Sequence, residues 1–109
     1  MTDGRPTIST HVLDTAAGVP RPGITVRLLR EGAAGGAVIG EGVTDQDGRI
    51  HDLLGGGTLE PGRYRLEYDL DADGFFTALS VDLRIEDATR GYHVPLLLAP
   101  FGLTTYRGS

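Results

Sequence analysis

The sequence predicts an all-β fold, a sandwich of roughly seven to eight short strands with at most one short helix. Two observations lead to this prediction. Short runs rich in β-branched and aromatic residues recur along the chain, and most of them alternate apolar with polar residues. Turn-forming Gly, Pro and Asp residues separate these runs at intervals of about ten residues, and the chain contains 17 glycines.

The first predicted strand lies in TISTHVLD, where Ile8, Thr10 and Val12 share one face and are expected to point into the core. Further strands are predicted in ITVRLLR, AVIGEGVTD, RIHDL, RYRLEYDL, LSVDLRIED, GYHVPLLLA and LTTYR. A helical turn is predicted, at most, in residues 71–78. Residues 1–6 are expected to form a flexible amino-terminal tail, and residues 7–109 a single β-sandwich domain.

Composition argues against several classes of function. The net charge of −5 disfavours nucleic acid and anionic membranes as partners. All ten basic residues are arginine and there is no cysteine, which excludes Schiff-base, thiol and disulfide chemistry. No apolar run approaches the ~20 residues of a membrane span. The first residues do not resemble a signal peptide, so a cytoplasmic location is expected.

Two predicted strands carry apolar residues on both faces. In the first strand, His11 and Leu13 lie opposite the core face. In YHVPLLL, the face opposite the core holds His93, Pro95 and Leu97. A strand that is apolar on both faces needs a second surface to pack against, and no helix is predicted to cover it. The partner is therefore expected to be another copy of the chain.

Metal sites are not predicted. The histidines His11, His51 and His93 lack HExxH or HxH spacing. The segment DQDG, residues 45–48, resembles half of a calcium loop but lacks the remaining ligands. It is predicted to be a tight turn that delivers Arg49 to the start of a strand.

Each remaining candidate has an ordinary structural interpretation when taken alone. His11 fits a solvated strand position, His93 an interface position and Arg49 a surface charge. Ser109 lacks a GxSxG context, so a covalent acyl-enzyme is not expected. As a set, however, two outward histidines and an arginine beside a donor-rich terminus indicate a site assembled at an interface.

The segments THVLDTAAGVPRPGITVRL, VTDQDGRI, PGRYRLEYD and YHVPLLLAPFGLTTYRGS together resemble the transthyretin-like family. More narrowly, the terminal TYRGS resembles the 5-hydroxyisourate hydrolase branch, because the hormone-carrying branch lacks it. The resemblance implies a two-sheet transthyretin-like sandwich and a homotetramer, a dimer of dimers with active sites at the dimer–dimer interface. The segment DLDADGFFTALSVDL is shorter than its counterpart in the family, which leaves the family helix open.

The resemblance also implies a set of functional residues. The catalytic positions fall on His11, Arg49, His93 and Ser109, and the substrate-binding positions fall on Tyr106, Arg107 and Gly108. His51 matches no catalytic position and is interpreted as a structural or surface residue.

The implied reaction is hydrolysis of 5-hydroxyisourate to 2-oxo-4-hydroxy-4-carboxy-5-ureidoimidazoline in urate catabolism. It requires no metal or other cofactor: one histidine acts as the general base on water, and arginine stabilises developing charge. Which histidine is the base remains open. The alternatives are a transthyretin-type carrier that binds a small ligand in a central channel, and a purely structural sandwich module.

Overall fold

A computed structural model describes residues 5–32 and 35–108 of the chain. This part of the chain contains nine strands and no helix. The strands are β1 (Ile8–Asp14), β2 (Val19–Pro20), β3 (Thr25–Gly32), β4 (Gly35–Val43), β5 (Arg49–Ile50), β6 (Gly62–Asp69), β7 (Ala78–Ile85), β8 (Tyr92–Ala99) and β9 (Gly102–Thr105). The all-β prediction is confirmed. In residues 71–78, where at most a helical turn was predicted, the structure has turns and bends at residues 72–75 and no helix.

The strands form two sheets. The first sheet has the order β2-β1-β8-β9, and the short strand β5 also pairs with β1. The second sheet has the order β4-β3-β6-β7 and is antiparallel throughout. In the first sheet β1 pairs with β8 in parallel over seven residue pairs, which joins the first long strand of the chain to the last. The site described below lies on the face of this sheet that points away from the core.

The core lies between the sheets and follows the period of two that the sequence shows. Its fully buried side chains come from both layers; the largest are Tyr64, Tyr68, Ile8, Leu28, Leu53, Leu66, Leu96, Val12, Val26 and Thr10. The core face predicted for the first strand, formed by Ile8, Thr10 and Val12, is confirmed by this set.

A buried polar link joins the two sheets. Thr10 on β1 donates its hydroxyl hydrogen to the Val94 carbonyl at 2.7 Å, and its oxygen lies 2.8 Å from the Tyr68 hydroxyl on β6. Because Thr10 has only one hydroxyl hydrogen, Tyr68 is the donor in the second bond. Burial raises the pKa of Tyr68 to about 12, so this donor keeps its proton. A slip in the register of β1 would break both bonds.

The outer faces of the two sheets differ in chemistry. The second sheet presents ion pairs, with Arg27 bonded to Asp69 at 2.7 Å and Arg65 bonded to Asp82 at 2.8 Å. In the first sheet the outer face carries Leu13 directly beside Leu97 across the β1–β8 pair. The apolar second face predicted from the sequence is therefore present, and it belongs to the first sheet.

The chain start is tied to the loop after β5. Arg5 forms an ion pair with Asp52, and the Thr7 hydroxyl donates to the same carboxylate at 2.5 Å. Residues 1–4 lie outside the described part of the chain, so the division into a tail, residues 1–6, and a domain, residues 7–109, stays a prediction. Among the described residues, no helix is long and apolar enough to cross a membrane.

Candidate active site

Strand register places three of the predicted catalytic residues in a row on the outer face of the first sheet. His11 on β1 lies directly opposite Arg49 on β5. On the other side of β1, the parallel register aligns Ser9 with His93 on β8, so His93 is a diagonal neighbour of His11. Diagonal neighbours in a sheet lie about 7–8 Å apart. The sheet therefore brings Arg49, His11 and His93 within reach of one small molecule.

The turn at residues 45–48 sets the position of Arg49, as the sequence predicts. The Asp45 carboxylate accepts the backbone N–H groups of Asp47 at 2.9 Å and of Arg49 at 3.0 Å. Gly48 closes the turn with φ of +75°, and a Cβ placed on it would lie 2.4 Å from the Val12 carbonyl oxygen. Only glycine fits there, which ties this turn tightly to β1.

The same turn holds the His11 ring. Nε2 of His11 lies 2.8 Å from the backbone carbonyl oxygen of Asp47. A carbonyl oxygen only accepts hydrogen bonds, so Nε2 carries a hydrogen. The nitrogen of His11 that remains for other chemistry is Nδ1.

The half-buried His93 ring is bonded to β1. Its Nδ1 lies 2.9 Å from the Ser9 hydroxyl oxygen. Burial lowers the pKa of His93 below the ordinary imidazole value, and repulsion from the positive charge of Arg49 lowers it further, with smaller effects from the neighbouring His11 and His51. At neutral pH the fold therefore favours the neutral form of His93, which can accept a proton.

The carboxyl-terminal segment returns to the same place. The Gly108 N–H donates to the His93 carbonyl oxygen at 2.7 Å, and the two residues form an antiparallel bridge. A Cβ on Gly108 would lie 2.9 Å from Cδ2 of His93, so the tail backbone packs directly against the imidazole. The segment as far as Gly108 is thus held in place against His93. Ser109 lies outside the described residues.

Tyr106 and Arg107 take a different position within the single chain. The guanidinium carbon of Arg107 lies 5.9 Å from the ring centre of Tyr92. Both residues line a groove of about 320 Å³ beside β7. The structure therefore separates these two predicted substrate-binding residues from the row of Arg49, His11 and His93, whereas Gly108 joins that row.

His51 lies at the rim of the site. Its side chain is 70% exposed and its Nε2 lies 3.7 Å from the Asp45 carboxylate. The described residues include no group of three or more His, Cys, Asp or Glu side chains arranged to hold a metal ion.

Two residues of the site were not singled out from the sequence: Ser9, through its hydroxyl, and Asp47, through its carbonyl. Ser9 carries a usable signal, since it stands two residues before His11 and so shares its face. The Asp47 carbonyl carries none, because its direction depends on the path of the turn.

We predict that Gly108→Ala displaces either the tail or the His93 ring, because the added methyl group would overlap Cδ2. The ¹H–¹³C resonance of His93 Cδ2 should move, while that of His51 stays. Gly102→Ala is the matched control, since a Cβ at Gly102 meets nothing within 4 Å. Equal, negligible changes in the two variants would show that the tail does not pack on His93.

Comparison with known proteins shows the family of the chain. A family model described as the HIUase/Transthyretin family matches residues 8–108. The 5-hydroxyisourate hydrolase of Deinococcus radiodurans is 40% identical over 118 residues, which cover 97% of this chain and 98% of the relative.

Solved structures show the same fold. The 5-hydroxyisourate hydrolase of Klebsiella pneumoniae matches with a TM-score of 0.82 and 37% identity, over 95% of this chain and 99% of that one. Transthyretin from Sparus aurata matches with a TM-score of 0.86 and 28% identity, over 95% and 97% of the two chains. With a family model that spans nearly all of the described residues and relatives at this identity, the chain belongs to the HIUase/transthyretin family.

Proposed function

We propose that the chain is a cytoplasmic enzyme that hydrolyses 5-hydroxyisourate to 2-oxo-4-hydroxy-4-carboxy-5-ureidoimidazoline in urate catabolism. The observation that supports this function best is the row of Arg49, His11 and His93 with the terminal Gly108 packed on the His93 ring. Relatives named for this reaction match over nearly their full length.

In the proposed reaction, water adds to a ring carbonyl carbon, a ring C–N bond opens, and the leaving nitrogen gains a proton. Water is a poor nucleophile at neutral pH and needs a base. His93 suits that role, because burial and nearby positive charge keep its imidazole neutral. His11, held through Nε2 by the Asp47 carbonyl, orients the water or returns a proton through Nδ1.

Arg49 is proposed to bind the substrate ring. Its backbone is fixed by the Asp45 carboxylate, and its guanidinium has no ion-pair partner among the described residues. A free planar guanidinium offers paired N–H donors and a permanent positive charge. It can hold a ring oxygen and stabilise the negative charge that develops when water adds.

The terminal residues are proposed to complete the site. Gly108 brings the end of the chain to His93, so that Ser109, the next residue, can orient the imidazole or bind a substrate edge. Tyr106 is 53% exposed at the end of β9. We assign Tyr106 and Arg107 to substrate binding in the assembled protein.

The assembly is proposed to be a homotetramer, a dimer of dimers whose sites lie where two first sheets face each other. The outer face of that sheet combines the apolar pair Leu13 and Leu97 with the histidine row. A second copy placed there would bury the leucines and shelter the row from bulk water, where electrostatic interactions are weaker.

The alternative is a carrier that binds a small ligand between copies without catalysis. The likeness to transthyretin keeps this alternative open, because the fold is shared. A channel that only binds an apolar ligand does not require the two held imidazoles and the guanidinium of Arg49 beside the carboxyl-terminal segment.

The test of the function is to add the protein to freshly oxidised urate and to follow the ultraviolet absorbance of the intermediate. We expect faster decay than in buffer. His11→Ala and His93→Ala should each reduce turnover by about 10²–10⁴-fold, because each removes an imidazole that moves a proton. Deletion of residues 106–109 should have an effect of similar size.

His51→Ala is the matched control, since His51 is exposed at the rim and should change turnover only slightly. Size-exclusion chromatography of each variant shows whether the assembly persists. Decay no faster than in buffer would favour the carrier, and normal turnover in all three site variants would refute the residue assignment.

A second prediction concerns pH. Because the folded pKa of His93 lies below the ordinary value of about 6.5, the neutral base is present at pH 7 and is lost as the pH falls through the folded pKa. Arg49→Met removes a positive charge that disfavours the imidazolium, so the pKa of His93 should rise toward 6.5 without passing it.

An NMR titration of His93 measures this pKa directly, and the acid limb of kcat/KM should move in the same direction. Arg63→Met, on the exposed face of β6, is the control and should leave the titration of His93 unchanged. A pKa of His93 that is unaffected by Arg49→Met would show that the guanidinium lies too far away for the proposed role.

A third prediction concerns the assembly. Leu97→Asp places a carboxylate in the centre of the proposed interface and should reduce the tetramer to dimers, with loss of turnover. Thr25→Asp, on the outer face of the second sheet, should leave the tetramer and its turnover unchanged. Multi-angle light scattering gives the mass of each. A tetramer that survives Leu97→Asp would mean that the interface lies elsewhere.

A further inference from the structure

Ser9 has a role beyond filling a strand position. It is half-buried on the outer face of the first sheet, directly across from His93 in the parallel register. Its hydroxyl oxygen lies 2.9 Å from Nδ1 of His93. Among the described residues, this is its sole side-chain hydrogen bond to the protein. Within the described chain, the Ser9 hydroxyl therefore interacts with the His93 imidazole alone.

We propose that Ser9 is a positioning residue for His93: its hydroxyl accepts the Nδ1 hydrogen of the neutral ring and leaves Nε2 as the nitrogen that takes a proton from water. This inference rests on the proposed hydrolysis, because it names the nitrogen through which the base acts.

The packing on the two edges of the ring supports this assignment. A half-turn of an imidazole about its Cβ–Cγ bond exchanges Nδ1 with Cδ2. In the present orientation Nδ1 faces the Ser9 hydroxyl, while the Cδ2 edge faces the backbone of Gly108. The flipped ring would set a carbon against the hydroxyl and forfeit the hydrogen bond. The hydrogen bond to Ser9 thus favours the present ring orientation over the flipped one.

In the proposed arrangement, with Ser9 as the acceptor, the hydrogen bond also sets the tautomer of His93. A neutral imidazole carries one hydrogen, and the partner of one nitrogen determines whether the other is a donor or an acceptor. If Ser9 accepts from Nδ1, Nε2 holds a lone pair. His11 is held in the opposite sense, through Nε2 and the Asp47 carbonyl, and exposes Nδ1. The two imidazoles would then present different nitrogens to one substrate.

The test uses ¹⁵N-labelled full-length protein and needs no substrate. The chain has three histidines, so each imidazole can be assigned, with His51 as an internal reference. Two-bond ¹H–¹⁵N correlation spectra at neutral pH report which ring nitrogen of His93 is protonated. We expect Nδ1–H in the unmodified protein, and a mixture of tautomers in Ser9→Ala.

Turnover supplies the second readout. Ser9→Ala should lower kcat about tenfold with little change in KM, because the substrate contacts of Arg49 remain while fewer rings are correctly held. Ser9→Thr keeps a hydroxyl at the same position and should restore both the tautomer and most of the rate. Ser80→Ala, an exposed serine on β7, is the matched control and should behave as the unmodified protein.

The outcomes separate this inference from the proposed function. Nε2–H in the unmodified protein, or the same tautomer and kcat in Ser9→Ala as in Ser80→Ala, overturns the role of Ser9. If the unmodified protein does not accelerate decay of the intermediate, the hydrolysis fails, while the spectra still decide how Ser9 holds the ring. Thermal unfolding of each variant at one protein concentration shows that an altered spectrum does not come from a damaged fold.

Discussion

The parallel pairing of β1 with β8 is the constraint on which the site depends. Side chains alternate between the two faces of a strand, so one register puts Ser9, His11 and His93 together on the outer face. A slip of one residue in either strand would turn its histidine into the core. The buried bonds of Thr10 to Val94 and Tyr68 hold that register from the inner side.

The outer faces of the two sheets carry different side chains and are suited to different roles. Ion pairs such as Arg27 with Asp69 give the second sheet a surface suited to water. The first sheet combines leucines with imidazoles on its outer face. Burial within the single chain already lowers the pKa of His93, and a second copy over this face is proposed to strengthen the field of Arg49. Assembly and catalysis are therefore proposed to need the same surface.

Periodicity predicted most of the fold, because alternation shows directly which side chains are buried, as for Tyr64, Leu66 and Tyr68. Two-residue strands are too short to have a period. The strand predicted in RIHDL extends only over Arg49 and Ile50 of β5, and β2 was not predicted; both are defined by their pairing with β1. The row of catalytic candidates was predicted by resemblance to a family. Of its supporting groups, Ser9 shares a strand face with His11 by simple alternation, but its bond to His93 depends on the register between β1 and β8. The direction of the Asp47 carbonyl depends on the path of the turn, which no local pattern encodes.

The central claim is that the outer face of the first sheet, opposed by a second copy, binds a flat, oxygen-rich heterocycle. A crystal structure of the assembled protein with urate bound tests it most directly. The account predicts urate between Arg49 and the imidazoles of His11 and His93, with the first sheet of another copy across the cleft. A first sheet open to solvent, with urate bound in the groove beside β7 or not at all, would contradict it.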